Sequence, residues 1–292
     1  MQYLRRMTLV SERAENAFIR DEKRTCFDSF YPFKIFPLKG LKEIEFDGIT
    51  MFYGGNGSGK STLINLIAHK MNATRYSPFN LSPFFDDYAD RCMTEFAKRP
   101  KNCTVLASDD VFDYVLNSRF VNEDIDQRRN ELLQKYAEVH AMKAMSAQAD
   151  TMKGLWDYDR WSETREILSP KRSQSDFIRK RVEKDVELRS NGETAMSYFV
   201  ERIEEDGIYF LDEPENSLSL AYQMELADYI AATQRVTATQ FIIATHSPVF
   251  LAIKGAKIYD LDHYPVGVCK WTELENVRKY FDFFMERKEE FL

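Results

Sequence analysis

The sequence predicts an α/β fold, a mixed sheet flanked by helices with a helical subdomain inserted into it. Three observations predict it. The glycine-rich stretch Gly54-Gly55-Asn56-Gly57-Ser58-Gly59-Lys60-Ser61-Thr62 lies between the apolar run Ile49 to Tyr53 and a Leu/Ile-periodic segment that starts at Leu63. The apolar run Ile208 to Leu211 ends in two carboxylates, Asp212 and Glu213. A second run, Gln240 to Ala244, ends in Thr245-His246-Ser247-Pro248. Short apolar runs bounded by turn residues read as strands buried on both faces, the pattern of parallel strands covered by helices. Between them lies a long charged stretch of helical character. The expected division is 1–110, the N-terminal strands and glycine-rich loop of the core; 111–195, the helical subdomain; and 196–292, the C-terminal part of the core.

Taken in order, the segment to Arg24 mixes arginines with acids and offers an edge strand or two from Tyr3 to Val10. Phe27, Phe30, Tyr31 and Phe33 follow, suited first to core packing and second to stacking on a purine. Leu41 to Phe46 alternates as a half-buried strand and turns at Asp47-Gly48 into the run at Ile49, which predicts a hairpin. After the helix from Leu63, residues 76–87 carry two Ser-Pro steps and read as a loop. Cys103 to Ala107 is a short strand. From Ser108 to Leu188 the chain is helical, with Ile125, Leu132, Leu133, Tyr136 and Val139 on one stripe. Ser190-Asn191-Gly192-Glu193 then opens a helix at Ala195. Beyond His246, a strand pair (257–261 and 267–271) and a terminal helix (276–284) complete the chain.

Composition bounds the function. The 292 residues carry a net charge of −7, which excludes a surface that is a nucleic-acid footprint throughout. Lys171, Arg172, Arg179, Lys180, Arg181 and Lys184 form a local basic series, but Asp176, Glu183, Asp185 and Glu187 interleave with it, so a solvated helix face is the favoured reading. Mean hydropathy is −0.47 and no apolar run approaches the ~18 residues a membrane span needs, so a cytoplasmic protein without membrane insertion is expected. Cys26, Cys92, Cys103 and Cys269 lack paired spacing and read as buried or free thiols.

The glycine-rich stretch is a phosphate-binding loop. Gly54 and Gly59 allow the crowded or positive-φ backbone that turns successive amides, those of Asn56, Gly57 and Ser58 among them, and a helix N-terminus toward an anion. Lys60 reaches the β- and γ-phosphates, and the Ser61 hydroxyl, beside Thr62, ligates Mg²⁺. Asp212 at the end of its strand also holds Mg²⁺, and Glu213 orients the attacking water. His246 faces the γ-phosphate as a hydrogen-bonding sensor. His69, His140 and His263 lack such context and are structural or at the surface.

Together, Gly54 to Thr62, Leu211 to Glu215 and Ala244 to Pro248 resemble an ATPase head of the ABC class, and more narrowly the small stand-alone bacterial ATPases related to RecF and SMC heads. The resemblance implies that Ser190, Gly192 and Glu193 form a signature loop that contacts the γ-phosphate of the opposite subunit. The site is then completed in a homodimer closed around ATP, with higher assembly open. Asn216 to Ser219 would lie along that interface. Asp109 stands where transporter relatives carry a glutamine and would take a Mg²⁺- and water-facing role. That departure and the lack of an adenine-stacking tyrosine disfavour a transporter motor. The expected function is a slow, dimer-dependent ATP-driven switch that controls a separate effector, a nuclease or toxin in bacterial anti-phage defence. The alternative is a DNA-binding repair ATPase whose insertion touches nucleic acid through Arg179, Lys180 and Arg181.

Overall fold

The computed structural model describes residues 2–24, 26–145, 158–167, 173–179, 181–182 and 191–292. The chain divides into two compact units, Met1–Asp113 with Ser190–Leu292, and Tyr114–Arg189. The first unit begins with β1 (Leu4–Thr8), α1 (Glu12–Asp21), β2 (Glu43–Glu45), β3 (Ile49–Tyr53), α2 (Lys60–Lys70), α3 (Phe85–Arg91), β4 (Met93–Phe96) and β5 (Asn102–Ala107). Helix α4 (Ser108–Met145) starts there and continues into the second unit, which also holds α5 (Tyr158–Ile167) and α6 (Gln174–Arg179). The first unit resumes with α7 (Asn191–Arg202), β6 (Gly207–Asp212), α8 (Leu220–Val236), β7 (Gln240–Ala244), α9 (Pro248–Leu251), β8 (Lys257–Asp260), β9 (Gly267–Cys269) and α10 (Glu275–Glu286).

The main sheet has the order β5-β6-β7-β3-β8-β9. All its neighbours run parallel except β9, which returns antiparallel to β8. Every residue of β3 and β7 is buried, as a sheet covered on both faces requires. The register fixes the site: Phe52 and Asp212 both lie opposite Ala244, so the phosphate loop, the carboxylate turn and the histidine loop leave the same end of three adjacent strands.

The expected hairpin into the phosphate loop does not form. Strand β2 pairs antiparallel with β1 in a separate sheet of order β2-β1-β4, whereas β3 lies between β7 and β8. The reason is burial: β2 buries Ile44 alone of its three residues, while β3 is buried throughout and needs a partner on each side. The Gln240 side chain ties the two sheets, accepting from the amides of Tyr3 and Leu4 and donating to the carbonyls of Leu4 and Asp47.

Helix α1 has no counterpart in the sequence expectation. Its N-cap is Ser11, whose hydroxyl accepts from the Ala14 amide at 3.3 Å, and its inner face carries Phe18 and a buried Glu15. Phe33 stacks on Phe18 at 4.6 Å and meets the edge of Tyr88, and Phe30 packs on Phe84, so these aromatics belong to the core. Strand β9 ends at Cys269, short of the expected Trp271. The four cysteines are free.

In the second unit, Leu132, Ile167 and Ile178 form a small core with Leu133, Tyr136 and Val139 against it. Lys135 pairs with Glu163 at 2.6 Å and Arg181 with Glu166. Of the basic series, Arg179 is exposed, and Lys171, Arg172, Lys180 and Lys184 lie outside the described residues.

Candidate functional site

Gly59 is the residue that lets the phosphate loop become a helix. It sits at φ 94° as the N-cap of α2, in the left-handed region that a β-carbon disfavours. Gly54 serves by size, since a β-carbon there would come within 2.5 Å of the Ser58 hydroxyl. Lys60 opens α2 with its side chain only 4% exposed. Its ammonium donates to the carbonyls of Gly54 (2.8 Å) and Gly55 (3.1 Å) and lies 3.3 Å from Glu213 Oε1. Ser61 Oγ donates to Asp212 Oδ1 at 3.0 Å. Two side chains 151 places apart in the sequence are thus brought together.

Glu213 occupies the left-handed region at φ 49° without being glycine. Such a conformation costs about 1–3 kcal/mol and persists where the surroundings enforce it, commonly at functional sites. Here its amide donates to the Ala244 carbonyl at 2.9 Å, and Asn216 Nδ2 donates to Glu213 Oε2 at 3.0 Å. Burial pushes the Asp212 carboxyl up to about 6; Ser61 donation opposes this, the Glu213 charge adds to it, and Lys60 and Arg75 oppose it.

His246 follows β7 with its side chain 44% exposed and its Nδ1 3.2 Å from Glu215 Oε1. The buried Glu215 accepts from the Thr245 hydroxyl and from the amides of His246 and Ser247. Asn56, Gly57 and Ser61 are exposed, and Ser58 is buried with a hydroxyl that has no hydrogen-bond partner among the described residues. The Thr62 hydroxyl accepts from Tyr31 at 3.1 Å.

Gly192 and Glu193 stand in the first turn of α7, and Ser190 lies outside the described residues. Gly192 has a packing role of its own: a β-carbon there would come within 2.6 Å of the Tyr222 ring. Asp109 is exposed on the first turn of α4; the inward carboxylate of the pair is Asp110, which accepts from Ser77 Oγ and the Ala107 amide. The resemblance gives the metal-facing role to Asp109; a helix starts at Ser108, which sends successive side chains about 100° apart, and of the two carboxylates Asp110 is the buried one.

Three residues of the site escaped sequence reasoning. Arg75 donates to Asn65 Oδ1 at 2.7 Å and shares the electrostatic surroundings of Asp110 and Asp212, while burial lowers its pKa. Asp262 accepts from the Gly55 amide at 2.7 Å and so braces the phosphate loop from the end of β8. Glu215 is the third. An arginine in a Ser-Pro loop and acids near strand ends carry no pattern to distinguish them.

The donor set fits a Mg²⁺-bound nucleoside triphosphate. Ser61 and Asp212 offer the oxygen ligands Mg²⁺ prefers, and Lys60, held by the Gly54 and Gly55 carbonyls and by Glu213, is a cation that phosphate oxygens could engage. Among the described residues no group of three or more His, Cys, Asp or Glu side chains is placed to hold a metal ion.

A protein-family model described as "AAA domain, putative AbiEii toxin, Type IV TA system" matches residues 159–252, about a third of the chain. No curated protein sequence matches. Similar solved structures include an SMC head domain with an extended coiled coil, bound to the C-terminal domain of ScpA, from Pyrococcus furiosus; it is 15% identical, covers 99% of this chain and 100% of that one, and has a TM-score of 0.43. The SMC head domain from Thermotoga maritima is 14% identical over 92% and 98% of the two chains, at 0.40. A nucleotide-free ATP-binding cassette from an ABC transporter is 14% identical over 96% of each, at 0.39. The fold class stands on this chain's own strand order and directions.

Proposed function

We propose that the chain is an ABC-type ATPase that binds ATP with Mg²⁺, closes as a homodimer around it, hydrolyses it slowly and uses the change to control a partner effector. The observation that supports the reading is the meeting of Lys60, Ser61, Asp212 and Glu213 at the ends of β3 and β6. In this reading the phosphate-loop amides from Asn56 to Lys60 receive the phosphates, and Lys60 exchanges the Gly54 and Gly55 carbonyls for β- and γ-oxygens. Ser61 and Asp212 would hold Mg²⁺, which neutralises charge on the phosphate oxygens. Glu213, released from Lys60, orients the attacking water, and His246 donates to the γ-phosphate. Gly192 and Glu193 at the start of α7, with Ser190, would meet the nucleotide of the second copy.

ATP can drive a partner only through different affinities for the open and closed states. The matched family's description names a putative AbiEii toxin and a Type IV TA system, which is compatible with an effector-linked role; a place in anti-phage defence is part of the proposal. Among the described residues no helix is long and apolar enough to cross a membrane. The decisive test is ATP turnover by the whole chain against Lys60→Ala. Phosphate release that disappears in the variant supports the reading, and release that survives it removes the phosphate-loop assignment.

A further inference from the structure

The two groups assigned to water activation and γ-phosphate sensing sit on different loops, after β6 and after β7, and something must hold their separation. Glu215 stands two residues beyond Glu213, in the 3-10 turn Pro214–Ser217, with its side chain 5% exposed. Its Oε1 accepts from Thr245 Oγ1 at 2.7 Å, from the His246 amide at 2.8 Å and from the Ser247 amide at 3.2 Å, and His246 Nδ1 lies 3.2 Å away. Two successive amides and a hydroxyl converging on one oxygen make a small anion nest, built here for a side chain of the chain itself.

The knot continues on the other side. Ser247 Oγ donates to Gln223 Oε1 at 2.7 Å, and Gln223 Nε2 donates to the carbonyls of Leu218 (3.0 Å) and Glu215 (3.4 Å). The histidine loop, the carboxylate turn and the start of α8 are thereby tied together. Glu215 Oε2, in contrast, is buried with no hydrogen-bond partner among the described residues. A buried carboxylate with one oxygen unmatched is a poor stabilising device, because desolvating its charge costs more than a neutral residue of the same volume would. The three bonds accepted by Oε1, and not the charge, therefore point to a positional role.

We propose that Glu215 is a positioning residue for hydrolysis, acting through His246: it fixes the sensor histidine against the turn that carries Glu213. This inference rests on the ATPase reading above. It assigns Glu215 no contact with nucleotide, so its loss should slow turnover and leave nucleotide affinity alone.

The test measures kcat, Mg-ATP affinity with a fluorescent analogue, and melting temperature for the full chain, Glu215→Ala, Glu215→Gln, His246→Ala and Glu215→Ala/His246→Ala. The expected result is a kcat lower by about 10- to 100-fold in Glu215→Ala, the range that small misplacement of a reacting group produces. Affinity stays within about twofold, as for an interaction absent from ground-state binding. Glu215→Gln recovers most of the rate, since an amide oxygen accepts the same three bonds. In the His246→Ala background the Glu215→Ala change costs nothing more, the non-additivity of two residues acting as a unit. An unchanged kcat in Glu215→Ala overturns the proposal, as does an equal loss in both backgrounds or a Gln variant as slow as the Ala variant. If the parent chain turns over ATP no faster than Lys60→Ala, the ATPase reading falls and takes this one with it; if the parent is active and only the Glu215 pattern fails, this inference falls alone.

Discussion

Lys60 Nζ lies 3.3 Å from Glu213 Oε1, so the cation that opens α2 and the carboxylate that follows β6 are paired. The contact is mostly buried on the lysine side, and in the proposed reading a triphosphate competes for it. In that reading, removing the charge of Glu213 removes the competition together with the group that orients water. Glu213→Gln should therefore bind Mg-ATP at least as tightly as the parent and hydrolyse it about 100- to 1000-fold more slowly. Light scattering behind a sizing column reads the consequence: the variant should shift from monomer to dimer mass with Mg-ATP, and a mass that ignores ATP counts against the closed dimer.

Gly192 and Tyr222 allow the packing and the signature roles of α7 to be separated. Gly192→Ala places a methyl within 2.6 Å of the Tyr222 ring and should destabilise by about 1–3 kcal/mol through overpacking. Adding Tyr222→Ala makes room and should restore part of the melting temperature. If ATP-dependent dimerisation stays lost in the double variant while the fold is restored, Gly192 acts on nucleotide; if dimerisation returns, the glycine served packing.

Gln240 is one of the links between the two sheets, beside the Tyr259 hydroxyl on the Glu45 backbone. Its amide meets four backbone groups, on Tyr3, Leu4 and Asp47, at 2.9 to 3.1 Å. Gln240→Leu preserves volume but leaves those groups buried and unmatched, and should cost about 3 kcal/mol in urea unfolding. A loss under roughly 0.5 kcal/mol, the size expected at an uninvolved surface position, would mean that water or a shifted β1 replaces the side chain.

Glu15 supplies a pH dependence. It is 1% exposed, and burial raises its pKa even though its Oε2 accepts from the Lys34 amide at 2.6 Å. A carboxyl whose folded-state value lies above the unfolded one contributes most to stability below the ordinary carboxylate range, and that contribution is lost as pH rises through the folded value. Glu15→Gln cannot titrate. Its melting temperature should match the parent's in acid and exceed it at neutral pH, and parallel curves would exclude Glu15 as the source.

By itself the sequence determined the parts of this protein that depend on neighbours along the chain. The glycine pattern from Gly54 to Gly59, the run into Asp212 and Glu213 and the run into His246 are local: apolar strands four or five residues long must be buried, and the polar residues that end them must emerge at a sheet edge. That logic also yields the stripe at Leu132, Tyr136 and Val139. The tertiary structure alone decided which strands became neighbours and which acids turned inward. Strand β2 joined β1 and not β3, because pairing follows the burial of whole faces and not the nearness of a turn. Asp110 rather than Asp109 faces inward, because a helix begins at Ser108 and one residue rotates the side chain by about 100°. Glu215 and Asp262 entered the site through hydrogen bonds spanning 30 and 207 residues. Distances of that length are set by chain packing, and no local pattern of residues encodes them.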